Sequence, residues 1–190
     1  ELRDSLRDDM DIPQLRQAML SAIACANDAI RQEAARNAEY QHMGTTLVCA
    51  VTRSDMAVIG NIGDSRAYHI TPEGIFQISR DHSVVENMVA KGDLTPLEAR
   101  THPRKSLLRQ PLGPDIHAKA DAFELPWHKD EFLLLCSDGL VNTVSDQEML
   151  FEVLHDGDVN ECLDHLLQIS LQRGAPDNIT AVLLLNGEGR

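Results

Sequence analysis

The sequence predicts an α+β fold in which helices pack on antiparallel sheets, and three observations predict it. A long stretch after Ile12-Pro13 carries apolar residues at helical spacing. From Thr45 to Ile78 the pattern switches to period two, rich in β-branched residues and broken by turn sequences. Beyond Ser83, helix-start signatures alternate with further strand-like runs. Runs of strands and runs of helices in that order form layers around one core.

The first helix is expected from Pro13 to about Tyr40. Leu15, Met19, Ala22, Ile23, Ala26 and Ile30 share one face, and Pro13 suits a first helical position, where a missing N–H costs nothing. Thr45 to Val51 and Met56 to Ile62 read as strands joined through Thr52-Arg53-Ser54-Asp55. Ser65 to Ile70 and Ile75 to Ile78 flank the turn Thr71-Pro72-Glu73-Gly74, and the four together read as an antiparallel meander. Ser83-Val84-Val85-Glu86 and Ser145-Asp146-Gln147-Glu148 have the capping-box form, and Thr95-Pro96-Leu97-Glu98 adds proline at a first helical position. Between Arg100 and Ile116 three prolines, Gly113 and four basic residues predict a structured surface loop. Ala118 to Leu125 and Glu131 to Ser137 read as strands. A last helix runs from after Asp158 to Gly174, with Val159, Cys162, Leu163, Leu166, Leu167, Ile169 and Ser170 inward. Ile179 to Leu185 is nearly all apolar and predicts a strand in the buried middle of the structure.

A chain of 190 residues fits one domain, and 43% apolar with 25% charged residues is the composition of a globular protein. No apolar run approaches the roughly 18 residues of a membrane span. Thirty acidic against 17 basic residues, a net charge of −13, argue against a nucleic-acid surface, which is basic. Four cysteines without a CxxC pair, and no signal-peptide layout at Glu1-Leu2-Arg3-Asp4, predict reduced thiols in a cytoplasmic protein. The absence of an initiator Met suggests a chain that begins inside a longer protein.

Three aspartates share one design. Asp64 in Gly63-Asp64-Ser65-Arg66 lies between two strands. Asp138 in Ser137-Asp138-Gly139-Leu140 ends an apolar strand, and Asp177 in Pro176-Asp177-Asn178-Ile179 precedes one. Carboxylates at strand ends are rigidly held yet reach solvent, as a hard-cation site requires. Taken singly, each reads first as a turn residue, because Asp-Gly and Asp-Asn are common turn dipeptides.

Together they read differently. Met43-Gly44-Thr45-Thr46, Asn61-Ile62-Gly63-Asp64-Ser65-Arg66-Ala67-Tyr68, Arg80-Asp81-His82-Ser83, Ala99-Arg100-Thr101-His102-Pro103, Leu112-Gly113, Leu135-Cys136-Ser137-Asp138-Gly139-Leu140 and Gly174-Ala175-Pro176-Asp177-Asn178-Ile179-Thr180 occur in that order. This series, from about Met43 to Leu185, resembles the type 2C metal-dependent protein Ser/Thr phosphatases. The segment from Ser83 to Leu112 resembles the flap that bacterial-type members carry beside the active site.

The resemblance implies a four-layer α-β-β-α sandwich of antiparallel sheets. It implies two Mn²⁺ or Mg²⁺ ions, with a third bound more weakly, that activate a hydroxide to hydrolyse phosphomonoesters. Asp138 and Asp177 correspond to ligands of the main metal pair, Asp138 reaching the third ion as well, and Asp64 corresponds to a ligand of the third. All are hard oxygen donors suited to these cations. The implied substrate is a phosphoserine or phosphothreonine protein modified by a cognate Ser/Thr kinase.

Two family motifs have no counterpart here: an Asn-Glu-Asp strand with an Arg for phosphate, and the Asp-Gly-Met-Gly-Gly-His strand that bridges both metals and lies near the proposed general acid. Residues 1–190 are therefore expected to be the larger C-terminal part of one phosphatase catalytic domain, with the flap at about 83–112 and a companion N-terminal fragment as partner. Alone they are expected to be inactive, with no catalytic residue beyond the metal ligands. The alternative is a pseudophosphatase or phosphoprotein-binding module. Arg104, Lys105 and Arg109 make the flap basic within an acidic chain, which fits either a solvated loop or attraction of a phosphopeptide. His82 and His102 read as local structural residues.

Overall fold

Asp11 opens the longest helix by a reciprocal capping box: its Oδ1 accepts the Gln14 N–H at 2.8 Å while Gln14 Oε1 accepts the Asp11 N–H at 2.9 Å. The helix, α2 (Ile12–Arg36), follows a short α1 (Leu2–Ser5) and places Pro13 in its first turn. It ends four residues earlier than the sequence pattern suggests; Asn37 breaks it and starts a 3-10 turn at Ala38–Tyr40. The computed structural model describes residues 2–95, 98–99, 102–104, 111–155 and 158–187. They fall into two units, one of Glu1–Leu47, Gly60–Asp64 and Arg80–Ala122, the other of Val48–Ile59, Ser65–Ser79 and Phe123–Arg190.

The strands are β1 (Leu47–Thr52), β2 (Met56–Ile62), β3 (Arg66–Thr71), β4 (Gly74–Gln77), β5 (Asp121–Pro126), β6 (Phe132–Cys136) and β7 (Ala181–Leu185). They form two sheets, of order β1-β2-β5 and β4-β3-β6-β7. The expected four-strand meander is thus two hairpins in different sheets. Every β2 residue from Ala57 to Ile62 is buried, so its alternation carried no sign of which sheet it joins. In the second sheet all pairings are antiparallel, with Arg66 opposite Cys136 and Cys136 opposite Ala181. β5 starts at Asp121 rather than Ala118. β7 lies at the end of its sheet, not in the middle, and Val182 is 47% exposed. An all-apolar run does not distinguish a central strand from an edge strand.

In the second unit the sheets meet face to face through Ala57, Ile59, Ala67, Leu125, Trp127 and Leu133. On the outer face of the four-stranded sheet, Tyr68, Ile70, Leu134 and Leu183 pack against Leu140, Val144, Met149, Val153, Cys162 and Leu166. The last six belong to α4 (Asp138–Val141), the turn after it, α5 (Asp146–His155) and α6 (Val159–Gln172). α5 starts at the expected capping box, with both Ser145 N–H and Oγ on Glu148 Oε2. α6 starts at Asp158, as expected, and buries Cys162, Leu166 and Ser170, but Leu167 lies on its exposed side.

In the first unit α2 buries Leu15, Met19 and Ile23, each worth about 1.5–3 kcal/mol relative to exposure. Met19 and Ile23 fit against Gly60, where any side chain would overlap them. Asn27 reaches from the helix to accept the Gly113 N–H at 2.7 Å and to donate to the Asp115 carbonyl at 2.9 Å. Ser83 caps α3 (Val84–Ala90). Thr95 and Glu98 make the reciprocal bonds of the third expected box; the residues between them, and much of the 100–110 loop, lie outside the described residues. Among the described residues no helix is long and apolar enough to cross a membrane, and none of the four cysteines is in a disulfide.

Candidate functional site

Asp138 and Asp177 are brought to the same end of the β6–β7 pair by a seam of short contacts. The Ser137 N–H donates to the Thr180 carbonyl at 2.9 Å, and the Thr180 N–H returns to Ser137 Oγ at 3.0 Å. Ser137 Oγ also donates to the Asn178 carbonyl at 3.3 Å. Gly139 completes the seam. A Cβ there would lie 2.3 Å from the Asn178 carbonyl oxygen, so the turn after Asp138 touches the turn after Asp177 only because residue 139 has no side chain. Ser137 is engaged in this seam and is not placed as a nucleophile.

Asp138 is the first residue of α4, where an acidic group suits the helix N-terminus. Its Oδ2 accepts a long 3.4 Å bond from Asn142 Nδ2. Asp177 is exposed, and its Oδ1 accepts the N–H of the next residue, Asn178, at 2.7 Å. Among the described residues neither carboxylate has a cationic partner. Two hard oxygen donors with spare lone pairs, held at one sheet end and not neutralised by arginine or lysine, fit Mg²⁺ or Mn²⁺. Among the described residues no group of three or more His, Cys, Asp or Glu side chains is placed to hold a metal ion, so these donors need further ligands.

Asp64 lies in the first unit, on the turn that leaves β2. Gly63 adopts φ +106°, a left-handed conformation that L side chains rarely take, and its missing Cβ makes room for Thr46. The segment at 80–82 holds this turn: the His82 N–H donates to the Gly63 carbonyl at 2.8 Å, and Asn61 Nδ2 donates to the Arg80 carbonyl at 3.0 Å. Asn61 is fully buried, and its Oδ1 has no partner among the described residues. The His82 ring is largely buried and meets Asp121 Oδ2 at 3.1 Å. Asp121 gave no signal in the sequence: it stands 39 residues from His82 and looks like an ordinary strand start.

In the second unit Arg66 donates to the Tyr68 hydroxyl at 3.0 Å, and burial pushes that hydroxyl well above the usual tyrosine range despite the guanidinium beside it. Of the three basic residues expected to meet substrate, Arg104 is exposed, its backbone N–H on His102 Nδ1 at 3.1 Å. Lys105 and Arg109 lie outside the described residues.

An α+β sandwich of antiparallel sheets with aspartates at its strand ends defines the class. A family model for protein phosphatase 2C matches residues 2–183, and the chain belongs to that family. It is similar to the serine/threonine phosphatase stp of Listeria welshimeri, 37% identical over 142 residues, covering 75% of this chain and 56% of that protein. It is similar to the serine/threonine protein phosphatase PstP of Mycobacterium tuberculosis, 34% identical over 164 residues, covering 86% of this chain and 31% of the relative. The chain thus spans a little over half the length of the Listeria relative and a smaller share of the mycobacterial one. Among solved structures, serine/threonine phosphatase Stp1 from Staphylococcus aureus superimposes with a TM-score of 0.90 at 36% identity, over 96% of this chain and 72% of that one. The PstP catalytic domain in complex with two manganese ions gives 0.83 at 28% identity, over 96% and 76%.

Proposed function

We propose that the chain is the larger C-terminal part of the catalytic domain of a metal-dependent protein Ser/Thr phosphatase, acting on a phosphoserine or phosphothreonine protein. The observation that supports the reading is the Gly139 seam, which holds the turns carrying Asp138 and Asp177 together at one sheet end, with no cationic partner for either carboxylate among the described residues, on a family fold whose named relatives are Ser/Thr phosphatases. Asp138 and Asp177 are assigned to the main pair of Mn²⁺ or Mg²⁺ ions, and Asp64 to a third, weaker one. Bound there, such ions supply activation of water and neutralise charge on the transferring phosphoryl group. The chain's own part is to orient the carboxylates: β6 and β7 fix where they stand, and the Ser137–Thr180 bonds stop the two strand ends from parting.

Arg104, Lys105 and Arg109 are assigned to the substrate phosphate, since a basic flap on a chain of charge −13 offers a local attraction for a phosphopeptide. The substrate is one phosphorylated by a cognate Ser/Thr kinase, and the site of action is the cytoplasm, which suits four cysteines without a disulfide. The edge of β7, half-exposed at Val182, is where a companion segment adds a strand. The absent bridging motif is the one feature that suits the binding-module alternative, while the named relatives, all Ser/Thr phosphatases, support the enzyme.

The test joins the chain to a relative's segment bearing the Asp-Gly-Met-Gly-Gly-His strand and follows phosphate release from a phosphothreonine peptide. Release that requires Mn²⁺ and stops with a chelator is expected; release indifferent to metal contradicts the reading.

A further inference from the structure

We infer that His82 is a positioning residue for Asp64, oriented in turn by Asp121. The inference rests on the assignment of Asp64 as a metal ligand made above. Two bonds tie His82 to Gly63, one from each side. The His82 N–H donates to the Gly63 carbonyl at 2.8 Å, and the Gly63 N–H donates to His82 Nδ1 at 3.5 Å. These groups belong to different peptide planes. The Gly63 N–H lies in the plane shared with Ile62, and the Gly63 carbonyl lies in the plane that ends on the nitrogen of Asp64. One residue therefore holds both planes that set the direction in which the chain leaves for the Asp64 Cα.

Glycine needs such a hold more than any other residue. Its backbone visits positive and negative φ about equally, so a glycine one step before a ligand leaves that ligand without a preferred direction. Gly63 cannot be exchanged for a stiffer residue, because a Cβ would stand 2.4 Å from Thr46 Cγ2. The stiffness comes from outside the turn instead, from His82 and from the nearby bond between Asn61 Nδ2 and the Arg80 carbonyl.

The ring is arranged for this task. An Nδ1 that accepts the Gly63 N–H leaves the ring proton on Nε2, and Nε2 faces Asp121 Oδ2 at 3.1 Å. Asp121 accepts that proton's hydrogen bond and so selects the tautomer and fixes the ring plane, as carboxylates do behind histidines that ligate metals. Here the histidine supports a backbone turn rather than a cation. Its side chain is 10% exposed, while that of Asp121 is 47% exposed.

The test titrates the chain joined to a segment that carries the bridging motif with Mn²⁺ by electron paramagnetic resonance and follows amide hydrogen exchange at Gly63. It compares Asp64→Ala, His82→Ala, His82→Asn and Asp121→Asn. Asp64→Ala is expected to abolish the weakest Mn²⁺ site. His82→Ala should weaken that site about 10–100-fold, the usual loss when a supporting partner goes, and speed Gly63 exchange with the circular dichroism unchanged. Asparagine carries its Oδ1 near the position of Nδ1, so His82→Asn should restore most of the affinity. Asp121→Asn should weaken the site less than His82→Ala does, and it serves with His82→Asn should His82→Ala fail to fold. The inference is overturned if Asp64→Ala abolishes the site while His82→Ala leaves it intact, or if His82→Asn is as damaging as His82→Ala. Should Asp64→Ala leave Mn²⁺ binding unchanged, the metal reading of Asp64 fails, and the role given to His82 fails with it.

Discussion

Gly139 is where a single atom decides the geometry of the candidate site. Alanine suits a helix's first turn, so Gly139→Ala has no backbone penalty in α4, yet its Cβ would press on the Asn178 carbonyl oxygen. We expect a loss of about 1–3 kcal/mol by urea denaturation, typical of overpacking, with NMR shifts centred on Asn178 and Ile179. A variant as stable as the parent would show that the two turns do not need this contact. Glu148 offers a second residue-scale test. Arg173 and the Ser145 cap hold its carboxyl well below the ordinary value of 4.5. A carboxylate depressed in the folded state contributes stability that is present above its unfolded pKa and lost as pH falls towards the folded one. The Tm gap between the parent and Glu148→Gln should therefore be widest near neutral pH and shrink from pH 4.5 downwards; because the pair is partly exposed, the gap is modest. A gap that stays constant to pH 3 excludes the ion pair as its source. At this scale Asp64, Asp138 and Asp177 stand out as candidates because each sits in a short ordered motif, and the structure brings Asp138 and Asp177 to one sheet end. Asp121 and the tie from His82 to Gly63 were not, since partners 39 and 19 residues apart leave no local pattern.

Elements were readable where a local rule sets them. The reciprocal boxes at Thr95 and Ser145 and the one-way cap from the Glu86 N–H to Ser83 Oγ are local bonds over three residues, and each lies where the sequence predicts a helix start. The same holds for Asp158 at the start of α6. Sheet membership was not readable. β2 and β3 are buried on both sides, so nothing in Met56 to Thr71 says that the chain changes sheet between them. The inner face of α6 was read one residue too wide, because Leu166 and Leu167 are both leucine and only packing tells them apart. Leu166 is 1% exposed and Leu167 is 39% exposed. Leu166→Ala should cost about 2–5 kcal/mol in a denaturant melt. Leu167→Ala should stay within about 0.5 kcal/mol of the parent. Equal losses would mean that α6 is rotated from the position described.

For the molecule as a whole, the class of fold was legible and the sheet order was not, while the family followed from seven short blocks spread over most of the chain. The same sequence contains no counterpart of the strand that bridges the two metals in the family. The 190-residue chain is accordingly expected to turn over p-nitrophenyl phosphate with Mn²⁺ at a negligible rate, because a two-metal clamp needs its shared carboxylate. A rate within about tenfold of an intact relative would refute this, since loss of a group in direct contact with the metals should cost at least what supporting partners cost.

The most direct test of the account is calorimetric Mn²⁺ titration of the chain joined to a segment that carries the bridging motif, comparing Asp138→Ala with Asp64→Ala and reading turnover in parallel. Asp138→Ala should lose tight Mn²⁺ binding and at least about 10²-fold in turnover, with the losses for supporting residues as the floor. Asp64→Ala should keep the tight sites and lower turnover alone. Equal loss of the tight sites in both variants, or their survival without Asp138, would contradict the assignment.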